Sequence, residues 1–170
     1  MIYLIILSML LIAAYTAAVC IKGKGVPASI SATFYKLEHP YWFLAAMWGA
    51  AFLLMPAILD VSGDGTEWTA FLACGGMLLV GSAPNFREET EGRVHTAGAV
   101  LCIAGSQLWV ALNSPWCLMA WAAYVIGTLV YMTTNEVTDD LRADFLATRP
   151  MFWVEVAALF STYLTMFIRL

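Results

Sequence analysis

Apolar residues gather along the chain into six stretches, at about residues 2–21, 41–59, 67–83, 94–112, 115–133 and 150–168, with short polar segments between them. Each is close to the roughly 20 residues a helix needs to cross a bilayer. Aromatic residues sit where lipid headgroups would be: Tyr41-Trp42-Phe43 and Phe152-Trp153 follow Pro40 and near Pro150. Proline suits a helix start, because the amide it lacks has no partner there. Asn113-Ser114-Pro115 makes a tight turn between the fourth and fifth stretches. Pro56, inside the second, removes one helical hydrogen bond and predicts a kink. The first stretch starts at Met1 without preceding basic residues, so it reads as a true span and not a cleaved signal. The pattern predicts an all-α polytopic integral membrane protein, one domain over residues 1–170 built as a bundle of six transmembrane helices.

Composition agrees with the pattern. The 170 residues are 62% hydrophobic, 14% aromatic and 12% charged, and the mean hydropathy is +0.79. Soluble domains are about 45–50% apolar and about 25% charged, so a water-soluble domain of this size could not bury so much apolar surface. A net charge of −4, with no basic concentration, argues against a nucleic-acid partner. Cys20, Cys74, Cys102 and Cys117 form no CxxC pair and read as small packing residues.

Charge placement adds orientation. The loops after the first, third and fifth stretches hold Lys22, Lys24, Lys36, Arg87, Arg93, Arg142 and Arg149, against Arg169 alone on the other side. Basic loops are retained in the cytoplasm. Both termini are therefore expected outside, in a plasma or inner membrane, with Asp60, Asp64 and Glu67 in an acidic outer hairpin. Glu88, Glu89 and Glu91 with Arg87 and Arg93 read as a solvated hairpin tip. Residues 28–37 read as an amphipathic helix on the inner leaflet, with Ile30, Phe34 and Leu37 dipping in.

Polar residues at membrane depth are the candidates for function, since a charge there costs at least about 2.5–3.5 kcal/mol on insertion scales. Glu155 heads a stripe with Ala158, Thr162, Thr165 and Arg169 on one helix face. His95, Cys102, Ser106, Trp109 and Asn113 form a second stripe, flanked by Gln107. If the stripes face each other, Glu155 and His95 meet near the cytoplasmic ends of their helices, with Asn85, Arg93 and Glu136 nearby and Ser106 and Thr162 deeper. Such a pair could shuttle protons, bind a cation or orient a headgroup. Equally, it could join helices, at roughly 0.6 kcal/mol per polar contact. Gly75, Gly76, Gly81, Gly98 and Gly105, with Ala45, Ala46, Gly49 and Ala50, predict close helix contacts within the chain.

Three functional classes follow. The leading one is a protein that binds or moves a lipid or small amphipathic ligand through a cytoplasm-facing intramembrane pocket, with Glu155, His95, Asn85, Ser106 and Thr162 as ligand-binding residues, membrane lipids as partners and no cofactor. A lipid-modifying enzyme would use His95 with Glu155, or Mg²⁺ held by Asp139, Asp140 and Asp144. An oligomeric channel would line a pore of a homo-oligomer with the polar stripes. The run from Asn135 to Asp144, followed by Arg149-Pro150, resembles the Asp-rich loop of intramembrane aromatic prenyltransferases, where carboxylates hold Mg²⁺ against a diphosphate. A solvated acidic loop beside a helix has the same composition.

Val26-Pro27-Ala28-Ser29-Ile30-Ser31, Gly81-Ser82-Ala83-Pro84-Asn85-Phe86 and His95-Thr96-Ala97-Gly98-Ala99 occur in an order that resembles the six-span family of the FGF-receptor-activating protein and the damage-regulated autophagy modulators. The likeness covers about a quarter of the chain. It implies six helices and a link to membrane lipids or their remodelling. That family turns its first and third loops away from the cytoplasm, opposite to the orientation the charge count predicts. A cysteine added after Leu170, with the four native cysteines replaced, decides between the two. It should react with an impermeant thiol reagent from outside the cell; reaction from the cytoplasmic side alone would reverse the orientation.

Overall fold

The computed structural model describes residues 1–134 and 140–170. These are helical, with no strand among the described residues: α1 (Ile2–Lys22), α2 (Tyr41–Asp60), α3 (Glu67–Ser82), α4 (Glu89–Asn113), α5 (Ala120–Thr134), α6 (Leu141–Ala147) and α7 (Pro150–Arg169). One-turn 3₁₀ segments occupy Ser31–Lys36 and Pro115–Met119, the second leading directly into α5. Five helical segments are long and apolar enough to cross a membrane, namely α1, α2, α4, Pro115–Thr134 and α7. At 16 residues and a 1.5 Å rise per residue, α3 is about 24 Å long, short of a hydrocarbon core of about 30 Å. α2 continues through Pro56 without a break.

Most apolar stretches became helices within a residue or two of the expected bounds. The exception is α4, which begins at Glu89, inside what read as a hairpin tip. The Glu88 side chain caps it, accepting from the Glu91 amide at 2.6 Å. That bond and the Thr90 amide hold the Glu88 carboxyl below the usual range. Glu89 and Glu91 then sit in the first turn, where negative charge suits the helix dipole, and Glu89 pairs with Arg93 one turn on. α6 interrupts the acidic run that follows α5. Asp140 caps it, accepting from Arg142 N and Ala143 N at 2.9 and 3.3 Å.

The helices pack through small residues. α3 and α4 run antiparallel at close range, with Gly76 against the Gly98–Cys102 backbone and Gly105 against Leu72 and Ala73. In lipid there is little hydrophobic gain in bringing helices together, so close backbone packing is what holds such a pair. α2 joins at Gly81, which faces Met47 and Trp48. The apolar core has two parts. Ile5, Ile58, Trp109 and Met166 belong to one; Ile12, Ile30, Phe43, Met77 and Phe152 to the other. Cys74 and Cys117 are buried packing residues, and all four cysteines are free thiols.

At the end of the bundle holding residues 60–66, Asn113 takes the Gly63 amide at 2.7 Å on Oδ1 and donates to Thr66 Oγ1 at 3.1 Å. Trp109 donates to Ser62 Oγ at 2.8 Å, and Arg169 donates to the Val61 carbonyl at 3.2 Å. The opposite end carries the loops after α1 and α3 and the start of α7, and is called the basic end below. α5 lies at the side of the bundle against α7, with no buried residue along its length.

A Cβ at position 76 would lie 2.3 Å from Cys102 N and 2.6 Å from the Gly98 carbonyl, whereas one at 75 would meet nothing within 4 Å. Gly76→Ala should therefore cost about 1–3 kcal/mol, the usual range for overpacking, and Gly75→Ala almost nothing. Thermal unfolding of the two variants in one detergent measures the difference; equal stabilities would mean that α3 and α4 are not held by this contact.

Candidate functional site

Glu155 lies one and a half turns into α7, and its carboxylate reaches back to the first loop. Oε2 accepts the Ile30 amide, and Ser31 Oγ donates to Oε1 at 3.4 Å. The loop is built to meet it. Ser29 Oγ accepts from the Ala32 amide at 2.9 Å, Thr33 Oγ1 donates to the Ile30 carbonyl at 2.6 Å, and Tyr15 of α1 shares a hydrogen bond with the Thr33 hydroxyl at 2.5 Å. Pro27 and Thr33 are fully buried, and the ring of Phe34 meets Phe43 edge-on. Within residues 28–37 the helical part is the 3₁₀ segment Ser31–Lys36, with Ile30 in the core and Phe34 and Leu37 packed against it. The segment turns inward as a plug, because the Ile30 amide finds an acceptor on α7, the Thr33 hydroxyl finds a partner on α1, and Ile30 and Phe34 pack into the core.

Beneath the plug is a cavity of about 90 Å³, well above the roughly 10–15 Å³ that one water needs. Ile30, Ser31 and Glu155 line it, and residues of α1, α2, α3, α4 and α7 complete the wall. Ser106, Thr162 and Tyr163 bring the other polar groups, while Met47, Leu54 and Met77 are among the apolar ones. Most of these hydroxyls are already committed. Ser106 donates to the Ile103 carbonyl at 3.0 Å and Thr162 to the Ala158 carbonyl at 2.7 Å, each within its own helix. Tyr163 shares a 2.7 Å hydrogen bond with Ser8 of α1, which also donates to the Ala50 carbonyl. Glu155 is the one carboxylate among the lining residues, and none of them is Lys, Arg or His.

Three of the five expected site residues, Glu155, Ser106 and Thr162, thus line one cavity. His95 and Asn85 do not. The expected approach of His95 to Glu155 is replaced by a hydrogen bond between His95 Nδ1 and the Ala83 carbonyl at 2.9 Å, with Phe86 tilted over the ring at 4.9 Å. α3 ends at Ser82, so unpaired carbonyls there offer an acceptor one turn from His95. Asn85 Oδ1 accepts from Tyr35 Oη at 3.3 Å, and its amide donates to Glu91 at 3.0 Å. The Tyr35 ring lies against Phe86 at 5.0 Å and under the Arg87 guanidinium at 4.2 Å. His95, Asn85, Tyr35 and Phe86 therefore close the basic end beside the plug.

Gln107 joins three helices: Nε2 donates to the Ala158 carbonyl of α7 at 3.2 Å, while Oε1 accepts from Ser161 at 2.9 Å and from Trp121 of α5 at 2.8 Å. Its amide between apolar neighbours at membrane depth was the available signal.

Asp139 and Glu136 lie outside the described residues. Asp140 and Asp144 belong to α6, as its cap and in its first turn. Among the described residues no three His, Cys, Asp or Glu side chains are grouped to hold a metal ion. No family model, curated protein or solved structure matches the chain, so its resemblance to the six-span family rests on the motif residues named above.

Glu155→Ala leaves the Ile30 amide without its acceptor, at about 1–3 kcal/mol for a buried group, whereas Glu155→Gln keeps an oxygen in place. Tryptic cleavage at Lys24 and Lys36 should rise about tenfold in Glu155→Ala, given that 1.4 kcal/mol is a factor of ten in opening, and stay near wild type in Glu155→Gln. Equal rates in all three would show the plug held by packing alone.

Proposed function

We propose that this is a six-span membrane protein that binds or moves a lipid or small amphipathic ligand, its polar end held in the cavity beneath the plug. The observation that carries the reading is the carboxylate of Glu155 set into the wall of an otherwise apolar cavity. Ligand pockets combine a mainly apolar lining with a few placed polar groups, supplied here by Glu155 and Ser31, and at about 90 Å³ against the roughly 300–1,000 Å³ of a whole-ligand site this cavity takes only the ligand's polar end. In this reading Ser106 and Thr162 border the ligand's path, its apolar part lies between α4 and α7, and His95 and Asn85 hold the cytoplasmic rim. α3 is the sixth span. Trp68 near its start is exposed and suits the interfacial belt, and bilayers thin locally around a short span.

The plug gives the site a way to open. Its ties to the bundle are hydrogen bonds with Glu155 and Tyr15, the packing of Ile30 and Phe34, and the contacts of Tyr35 with Asn85, Phe86 and Arg87, so it would lift only when these open together.

Native mass spectrometry of the protein released from a mild detergent tests the reading. A lipid or metabolite should be retained by wild type and by Leu129→Ala, a change on the exposed face of α5, and be lost in Glu155→Ala. A ligand-free protein, or one whose bound molecules are indifferent to Glu155→Ala, would remove the cavity from consideration.

A further inference from the structure

Resting on the reading of the cavity as a ligand site, we infer that its ligand is a single-chain amphiphile with a protonated amine head, taken from the bilayer through a groove between α1 and α7.

The charge is the first ground. Lys22 pairs with Glu38 and Arg93 with Glu89, and all four side chains are well exposed. Glu155 has neutral partners, the backbone amides of Ile30 and Ser31 and the Ser31 hydroxyl. A carboxylate in an apolar wall without a cation carries an uncompensated desolvation cost. Three donors still leave one of about four acceptor positions on an ionised carboxylate open. An ammonium group supplies both the missing charge and the missing donor. An anionic headgroup would meet repulsion at the same place.

The route is the second ground. Where α1 and α7 are tied by Ser8 and Tyr163, the helices meet; toward the basic end a groove of about 350 Å³ opens between them. Small residues, Ala13 and Ala17, form part of its floor. Ile12, Ile30, Leu159 and Tyr163 line both the groove and the cavity, so one wall separates them. That volume lies at the lower end of the range for small-molecule sites, which suits one alkyl chain and not a two-chain lipid.

The third ground is Thr16. Thr16 lines this groove, and its hydroxyl is buried without a hydrogen-bond partner. Thr162 and Thr165 satisfy theirs on the carbonyl one turn back. Thr16 does not, so it keeps an unmet hydrogen-bonding capacity beside the groove.

The test uses the full chain in phosphatidylcholine nanodiscs and three probes with the same chain: dodecylamine, dodecanol and dodecanoate. Bound molecules are counted by native mass spectrometry across a titration. Dodecylamine should bind at least tenfold more tightly than dodecanol, with dodecanoate weakest. Glu155→Gln should abolish the preference, and Ala17→Trp, which fills the groove, should abolish dodecylamine binding while leaving the melting temperature near wild type. Equal binding of amine and alcohol, both lost in Ala17→Trp, would overturn the cationic head and leave the amphiphile reading standing. An amine preference that survives Glu155→Gln, or amine binding that survives Ala17→Trp, would overturn the assignment. Failure of all three probes to bind would overturn this inference and the ligand reading together.

Discussion

A backbone amide buried away from water must find its partner within the protein, and that constraint governs the region between α1 and α2. A non-helical segment can enter a membrane protein only where the protein itself supplies its hydrogen-bond partners. Glu155 does so for Ile30, and Tyr15 extends the support through Thr33. With those partners in place, Pro27, Ile30 and Phe34 can join the core, and the plug becomes the cover of the cavity. The same carboxylate fixes where the start of α7 sits relative to α1. An interaction between one side chain and one amide therefore shapes a loop, a helix position and a cavity.

The frame around that interaction comes from residues with almost no side chain. Gly76, Gly98 and Gly105 let α3 and α4 approach until backbone touches backbone, and Gly81 brings α2 against the pair. Gln107 then fastens α7 and the start of α5 to α4 with one amide group. The two devices differ in kind. Glycine contact is rigid and tolerates no added atom, whereas an amide bracket can re-form after small helix shifts. The cavity lies where these two kinds of contact adjoin, bordered by α3 and α4 on one side and by α7 on another.

What could be read from the residues follows from how local each signal is. The long helices were legible because an apolar run of about 20 residues is complete within itself. The burial of Ala158, Thr162 and Thr165 was legible too, since helical spacing places them on one face. α4 begins earlier than hydropathy suggests because Glu88, Glu89 and Glu91 act as a cap and first turn, a role that shows in their positions and not in their polarity. α6 escaped notice for a similar reason: seven residues opening on an Asp cap carry too little periodicity to stand out. The partner of Glu155 was the least accessible feature. Ile30 is 125 residues away and offers a backbone amide, which every residue but proline possesses. His95 misled for the opposite reason, since its side chain looks functional while the acceptor it uses is an ordinary carbonyl at a helix end.

The spacing of these contacts also sets an order of events during synthesis. The chain is made from its N-terminus, so the plug leaves the ribosome well before Glu155 exists. Ser8 waits longer still for Tyr163, 155 residues later. Until α7 is inserted, the Ile30 amide lacks its acceptor and α1 has no hydroxyl to share with Ser8. The α2–α4 frame, whose contacts are nearer in sequence, can assemble first. The final helix therefore converts a set of inserted segments into a closed bundle, and a nascent chain halted before residue 155 would hold the frame without the cavity.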